Sequence, residues 1–220
     1  MKSFPKLIIA LLMMLTSSQL FATAQQPDYL IFKGKKTAIH ANPLSKYLQA
    51  HPEKKIKNPM QNSSCWRGYI ATFEIKDKRL TIESITTREY DVDKITGELK
   101  SIETDITGEI FSPKDDRFCQ WYTATLILPE GKMINYVHMG YASEFEHYTV
   151  IWIKAGLLIN EKHFTLDEFK SYKRIKFIKF KQTPEYIKAL NDSIKDGLTN
   201  EQAESFLFEF YTEQYLSEPE

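Results

Sequence analysis

The segment richest in groups capable of acid–base chemistry spans residues 138–148. It contains His138, Glu144, Glu146 and His147, together with Tyr141. An imidazole beside a carboxylate can act as a general acid and base or bind a metal ion, because histidine titrates near neutral pH and its second nitrogen needs an orienting partner. Adjacent strand residues point to opposite faces of a sheet, so Glu146 and His147 share a site only in an irregular loop. We favour the alternative that this segment is a solvated connection between two strands.

The familiar catalytic and cofactor signatures are missing from the sequence. It has no HExxH zinc motif, no CxxC pair, no GxSxG nucleophile elbow and no glycine-rich phosphate or dinucleotide loop. We therefore expect no cofactor and no metal ion, and we assign no catalytic residue beyond the His and Glu candidates above.

Three positions are candidates for ligand binding: Trp66, Arg67 and Tyr141. Arg67 lies at the start of a strand predicted over residues 66–75, in which alternate residues from Tyr69 to Ile75 are apolar. Arg67 begins on that apolar face, where an unpaired charge is costly, so it must pair with a carboxylate or emerge at the sheet edge. We favour pairing. For Trp66 we favour an anchor in the core or at the edge over a platform for a ligand.

The chain has two cysteines, Cys65 and Cys119, each close before an aromatic strand. In an oxidising compartment two such cysteines are expected to pair, and neighbouring strand entries would bring them together. We predict a disulfide between them. The alternatives are two buried free thiols or a cysteine nucleophile, for which no local signature exists.

Residues 1–24 have the three parts of a secretory signal peptide. Lys2 and Lys6 precede an apolar run over residues 7–15, and Ala22 and Ala24 form a small-x-small cleavage pattern before Gln25. The apolar run is too short for a membrane-spanning helix, which needs about 20 residues. We therefore expect an exported protein, periplasmic or secreted, whose mature residues 25–220 form a single soluble domain without a membrane span.

The charge composition argues against a nucleic-acid partner, because 29 Lys and Arg balance 29 Asp and Glu. One predicted helix nevertheless carries a basic face, which is able to meet an anionic partner but is diluted by neighbouring acids. It consists of Lys170, Lys173, Arg174, Lys176, Lys179 and Lys181.

Strand patterns dominate the first two thirds of the mature sequence. A hairpin around Gly34 leads into a short helix opened by Asn42 and Pro43, with Asn42 as its cap. A second hairpin covers residues 66–86, and polar turn residues predict a projecting hairpin or loop near 88–111. Residues 129–131 predict a tight turn, and residues 148–154, apolar on both faces, predict a central strand.

The last third predicts helices. Thr165 with Glu168 forms a capping box, Thr183 precedes a proline typical of a first helical turn, and Thr199 with Gln202 forms a second box. Residues 174–181 alternate like a strand, but their neighbours favour helix, which we predict there. Strands followed by helices indicate an α+β fold, with an antiparallel sheet of hairpins packed against C-terminal helices.

The sequence resembles a group of uncharacterised bacterial proteins. Their shared pattern is an N-terminal hairpin leading into an Asn-Pro-Leu helix, here Asn42 to Leu44, and then a strand beginning Trp-Arg-Gly-Tyr, here Trp66 to Tyr69. The resemblance covers residues 29–85 well and residues 164–186 more weakly. The signal peptide and the cysteine before the tryptophan depart from the pattern. The resemblance implies a small single domain, but no activity and no catalytic residue.

Together these patterns predict an exported, noncatalytic binding domain that interacts with another protein. Its tyrosine, tryptophan and lysine content suits an interface. The alternative is a small exported hydrolase that uses the histidines and glutamates of residues 138–148.

Overall fold

The computed structural model describes residues 25–57, 61–94, 96–137 and 141–217. The predicted signal peptide and His138 lie outside these residues. The described residues form the strands β1 (Asp28–Phe32), β2 (Lys35–Ile39), β3 (Ile70–Lys76), β4 (Arg79–Val92), β5 (Leu99–Asp105), β6 (Ala124–Asn135), β7 (Glu144–Lys154) and β8 (Leu157–Thr165). Their helices are α1 (Pro43–Ala50), α2 (Thr107–Ile110), α3 (Leu166–Phe180), α4 (Pro184–Lys195), α5 (Asn200–Phe210) and α6 (Thr212–Tyr215).

The strands form one sheet in the order β2-β1-β3-β4-β8-β7-β6, with β5 paired to β4 beside this path. All pairs are antiparallel except β1 with β3, which run parallel because α1 and a loop carry the chain back between them. The predicted α+β class is therefore confirmed. The sheet is mixed rather than wholly antiparallel, because one of its connections is a crossover.

The two ends of the strand order approach each other. The backbone N–H of His40, directly after β2, donates a hydrogen bond to the carbonyl of Ile127 in β6 at 2.8 Å. Contact between the outermost strands requires a strongly curved sheet, because a flat one would keep them several strand widths apart. The curvature gives the sheet an inner face and an outer face, and each is covered.

Strand β7 separates two hydrophobic clusters. Ile151 and Ile153 face the inner cluster, which includes α1 and α2, while Val150 and Trp152 face the outer cluster, which includes the C-terminal helices. The Trp152 Nε1–H donates to the carbonyl of Leu216 at 2.8 Å and so ties the chain end to the sheet. The central position predicted for residues 148–154 is confirmed, because β7 lies between β6 and β8 and is buried on both faces.

Local capping chemistry sets the starts of the C-terminal helices. Thr165 and Thr199 each form both halves of a capping box, and the Thr183 side chain accepts a hydrogen bond from the N–H of Tyr186. The three predicted helix starts are therefore confirmed. At α1 the expected cap differs, because the Asn42 side chain makes no capping hydrogen bond and is used elsewhere.

The tight turn predicted at residues 129–131 is wrong. Pro129 and Glu130 lie within β6, in register with Tyr148 and His147 of β7. Because β6 ends the strand order, the missing N–H of proline interrupts no second ladder. The pairing register shifts just beyond Glu130, where Gly131 has φ +79°, so these turn-like residues form an irregularity in a continuous edge strand.

The predicted disulfide is not formed. Cys65 and Cys119 are buried free thiols. The Cys65 thiol donates to the carbonyl of Tyr69, just before β3 begins. The N–H of Cys119 donates to the carbonyl of Leu80 in β4, and Leu80 pairs with Ile75 near the end of β3. Tyr69 and Ile75 are six residues apart, which along a strand corresponds to about 20 Å at roughly 3.3 Å per residue. Bridged cysteines need Cα atoms within about 7 Å of each other.

Candidate functional site

A cleft of about 520 Å³ opens between the outer face of the sheet and the C-terminal helices. The sheet supplies one wall and α3 the other, while the ends of α5 and α6 close one side. This volume is within the range of small-ligand sites. The lining includes His40, Tyr141, Glu144 and Tyr148 from the sheet side and Phe169, Lys170, Lys173, Arg174, Phe208, Glu209, Phe210 and Glu213 from the helices.

The three residues predicted for binding, Trp66, Arg67 and Tyr141, all border this cleft. Arg67 lies at its base, with a side chain only 2% exposed. Trp66 is 61% exposed, so of the two anchoring positions predicted for it, core or edge, the core position is wrong. Gly68 has φ +73°, and this left-handed turn places neighbouring side chains in different surroundings, which alternation along a regular strand cannot anticipate.

The carboxylate that pairs with Arg67 is Asp28, the first residue of β1. Arg67 Nη2 lies 3.3 Å from Asp28 Oδ1, which also accepts from the N–H of Ala71 at 2.9 Å. Burial raises the pKa of Asp28 to about 6, against the opposing effect of Arg67. Burial alone would lower the pKa of Arg67, but Asp28 and the nearby tyrosine hydroxyls together raise it. The predicted pairing is therefore present, as a fully buried ion pair.

A hydrogen-bonded series extends from this pair to the C-terminal helices. Arg67 Nη1 donates to the Tyr141 hydroxyl at 3.2 Å, and that hydroxyl donates to Asn42 Oδ1 at 2.8 Å. The backbone N–H of Asn42 then donates to Glu213 Oε1 at 2.8 Å. These bonds explain why Asn42 does not cap α1. They also fix Arg67, Tyr141 and Glu213 relative to one another, although the chain separates Asp28 from Glu213 by nearly its whole described length.

Among the described histidines, His40 borders the cleft. Its ring stacks on Tyr141 with centroids 5.0 Å apart and planes 7° from parallel, and Phe145 contacts it edge-on at 5.9 Å. Burial, and secondarily the charge of Lys173, lowers the pKa of His40 to about 3. Its imidazole is therefore neutral at physiological pH and acts as a flat, polar part of the cleft wall.

The His and Glu residues predicted for catalysis are not gathered into one site. Glu144 borders the cleft and lies 2.7 Å from Lys170. Glu146 accepts from the N–H of Lys132 at 2.8 Å, and His147 is exposed; neither borders the cleft. Neighbouring residues of β7 point to opposite faces, which separates the His147 side chain from that of Glu146. His138 lies outside the described residues.

The helix α3 divides its predicted basic face between different surroundings. Lys170, Lys173 and Arg174 border the cleft, Lys176 is buried, and Lys181 pairs with Glu204 at 2.6 Å. Positions three and four apart lie on one side of a helix, so Lys170, Lys173 and Arg174 point the same way. The continuous basic face expected from sequence is therefore a cleft-facing group of three cations with other lysines elsewhere.

Sequence reasoning missed Asp28, His40 and Glu213. A signal for Asp28 was available, because a carboxylate at the start of an apolar strand is an apt partner for a buried arginine. His40 and Glu213 carry no such local signal, since their roles depend on contacts between distant segments.

Comparisons of the chain with protein-family models, with curated proteins and with solved structures gave no match. The resemblance to the Trp-Arg-Gly-Tyr proteins stays a prediction. Within the described ranges, no helix has the length and apolar character needed to cross a membrane. Those same ranges contain no group of three or more His, Cys, Asp or Glu able to hold a metal ion.

Proposed function

We propose that this chain is an exported binding protein that holds a segment of a partner polypeptide in the cleft. The observation that carries the proposal is the combination of an exposed tryptophan, Trp66, with a cleft base fixed by the buried Asp28–Arg67 pair. Tryptophan, tyrosine and arginine are the residues that most often dominate binding energy at protein interfaces.

The rigidity of the cleft supports binding. Tyr141 is held by Arg67, by Asn42 and by stacking on His40. Side chains already fixed in place lose little conformational entropy when a ligand arrives, so more of the contact energy appears as affinity.

The aromatic walls support a polypeptide as the ligand. Tyr148 stacks on Phe169 with centroids 4.1 Å apart, which joins the sheet wall to the helix wall. Phe208 and Phe210 line the side formed by α5, and Phe210 is stacked on the exposed Phe206 at 4.8 Å. Flat apolar walls with charged groups between them suit a peptide, whose side chains are apolar and whose backbone is polar.

Export is part of the proposal and rests on the pattern of residues 1–24. Mass spectrometry of protein from periplasmic or culture fractions should find Gln25 as the first residue. Recovery of the chain from the soluble cytosolic fraction with Met1 intact contradicts this part of the proposal.

Affinity capture followed by a measured dissociation constant tests the binding function. The purified chain is used to isolate a stoichiometric partner from periplasmic and culture fractions, and the affinity of the purified pair is then determined by calorimetry. Trp66→Ala should weaken that affinity by roughly tenfold or more, the loss expected for an interface residue that contributes strongly. The matched control is Ile178→Ala, because Ile178 is also 61% exposed and does not border the cleft.

Two results count against the function. Equal affinities for the Trp66→Ala and wild-type chains place the interface away from the cleft. A partner lost equally with Ile178→Ala indicates general surface adhesion rather than recognition by the cleft.

A further inference from the structure

We infer that the polypeptide segment held in the cleft ends there, with its C-terminal carboxylate beside Lys170 and Arg174 of α3 and an aromatic or large aliphatic side chain against the aromatic walls. This inference rests on the proposed binding function and names the chemistry of the ligand.

Ion pairing within the cleft leaves one side-chain cation unmatched. Lys170 lies 2.7 Å from Glu144, and Lys173 lies 3.0 Å from Glu209. The third carboxylate of the lining, Glu213, lies 3.2 Å from Lys46, outside the lining. Each of these pairs is neutral as a whole.

Arg174 is the cation that remains. It borders the cleft, is exposed, and makes no ion pair with any residue in the part of the chain that the structure describes. Arg67 is also a cation of the lining, but Asp28 directly behind it offsets its charge. The unmatched positive charge of the cleft therefore lies on α3, at the guanidinium of Arg174.

The spacing on α3 suits a carboxylate. Lys170 and Arg174 are four residues apart, so their Cβ atoms lie about 6 Å from each other on the same side of the helix. A carboxylate between them can take two parallel hydrogen bonds from the guanidinium and a further one from the ammonium. A single negative charge at that point would match the single unmatched cation.

A chain end carries one carboxylate next to the last side chain, and the walls around Lys170 and Arg174 are aromatic. Phe208 and Phe210 border the cleft, and Lys173 Nζ, next to Arg174 in the chain, lies 4.6 Å from the centroid of the Phe208 ring. The last side chain of the partner is therefore expected to be aromatic or large and aliphatic.

Matched peptide pairs test the inference by calorimetry on the full mature chain. The first pair is acetyl-Ala-Ala-Phe with a free carboxylate and the same peptide as its C-terminal amide. The second pair, both C-terminal amides, is acetyl-Ala-Phe-Glu-Ala and acetyl-Ala-Phe-Gln-Ala, which move the carboxylate to a side chain. The free acid should bind about tenfold more tightly than its amide, the usual size of one charge-assisted contact.

The variants locate the carboxylate. Arg174→Gln should remove the acid's advantage over the amide and leave the affinity for the amide within about twofold. Arg174→Lys keeps the charge but not the paired donors, so it should restore only part of the advantage. Lys179→Gln is the control, because Lys179 is an exposed cation of the same helix that does not border the cleft.

The outcomes separate this inference from the proposed function. Equal binding of acid and amide overturns the carboxylate assignment, and preference for the Glu peptide without a difference in the first pair overturns the C-terminal assignment. Failure of all four peptides to bind also overturns the inference. A partner whose capture depends on Trp66 would still support the proposed function in each of these cases.

Discussion

Replacing His40 with phenylalanine should change how the stability of the protein depends on pH. Unfolded histidine has a pKa of 6.5, and the folded value is about 3, so the unfolded state binds the proton first and stability is lost as pH falls below about 6.5. Asp28 acts in the opposite direction. Its pKa rises from 3.8 to about 6 on folding, so the folded state binds the proton first and stability is gained as pH falls from about 6 toward 3.8.

The two contributions nearly cancel in the wild-type chain. Between about pH 7 and about pH 4.5, His40 costs about 2 to 3 kcal/mol and Asp28 contributes about 2 kcal/mol of stability. His40→Phe removes the first contribution and leaves the second. When the pH falls from about 7 to about 4.5, the unfolding free energy of His40→Phe should therefore change by about 2 to 3 kcal/mol more in the stabilising direction than that of the wild type.

Urea unfolding followed by tryptophan fluorescence at both pH values measures this difference. All other titrating groups are common to the two chains, so they cancel in the comparison. His147→Phe makes the same substitution at an exposed histidine and is the control for exchanging an imidazole for a phenyl ring. The reasoning is refuted when His40→Phe and the wild type have the same pH dependence, since the imidazole would then meet similar surroundings in both states.

Three further measurements test the packing of the fold. Asp28→Ala removes the acceptor shared by Arg67 and the N–H of Ala71 and should destabilise the fold by about 3 kcal/mol in urea unfolding; a loss below about 1 kcal/mol would mean that water reaches these buried donors. Gly156→Ala should lower the stability of the fold more than Gly34→Ala. The two glycines have similar left-handed φ values, +75° and +76°, but of the two only Gly156 would place an added Cβ against other atoms, 2.7 Å from a backbone carbonyl oxygen. Equal melting temperatures would contradict this packing. Unreduced mature protein should react with two equivalents of a thiol reagent once unfolded, and no reaction would indicate that the cysteines are bridged after all.

Helix starts could be predicted because their causes are local. Thr165 and Glu168 are three residues apart, and the same hydrogen bonds form wherever this spacing meets an amphipathic segment. The apolar run of β7 was similarly informative, since burial on both faces leaves a continuous apolar pattern. The α+β class follows from these two kinds of signal together.

The errors arise where distant parts of the chain decide the outcome. Residues 129–131 have turn composition, but an edge strand tolerates proline and a local irregularity. Cys65 and Cys119 occupy similar positions before aromatic segments, yet their hydrogen bonds fix them at opposite ends of the β3–β4 pair. Similar residues before two strands do not show whether those strands begin at the same end of the sheet.

The candidate site was predictable only in part, because some of its contacts join segments that are far apart in the chain. The need of Arg67 for a carboxylate follows from its burial, which its apolar neighbours in the sequence indicate, but the identity of Asp28 depends on the parallel pairing of β1 with β3. His40 and Glu213 reach the cleft only because the curved sheet and the C-terminal helices bring their segments to Asn42 and Tyr141.

Hydrogen–deuterium exchange on the complex with the captured partner tests most directly whether the cleft is the binding site. Binding should slow exchange of the backbone N–H groups of residues 141–148, 166–174 and 208–213, the three segments that contribute most of the cleft lining. Residues 86–94 and 96–105, in the hairpin of β4 and β5, serve as the internal reference and should exchange as in the free chain. Protection of the hairpin with unchanged exchange around the cleft would contradict the account.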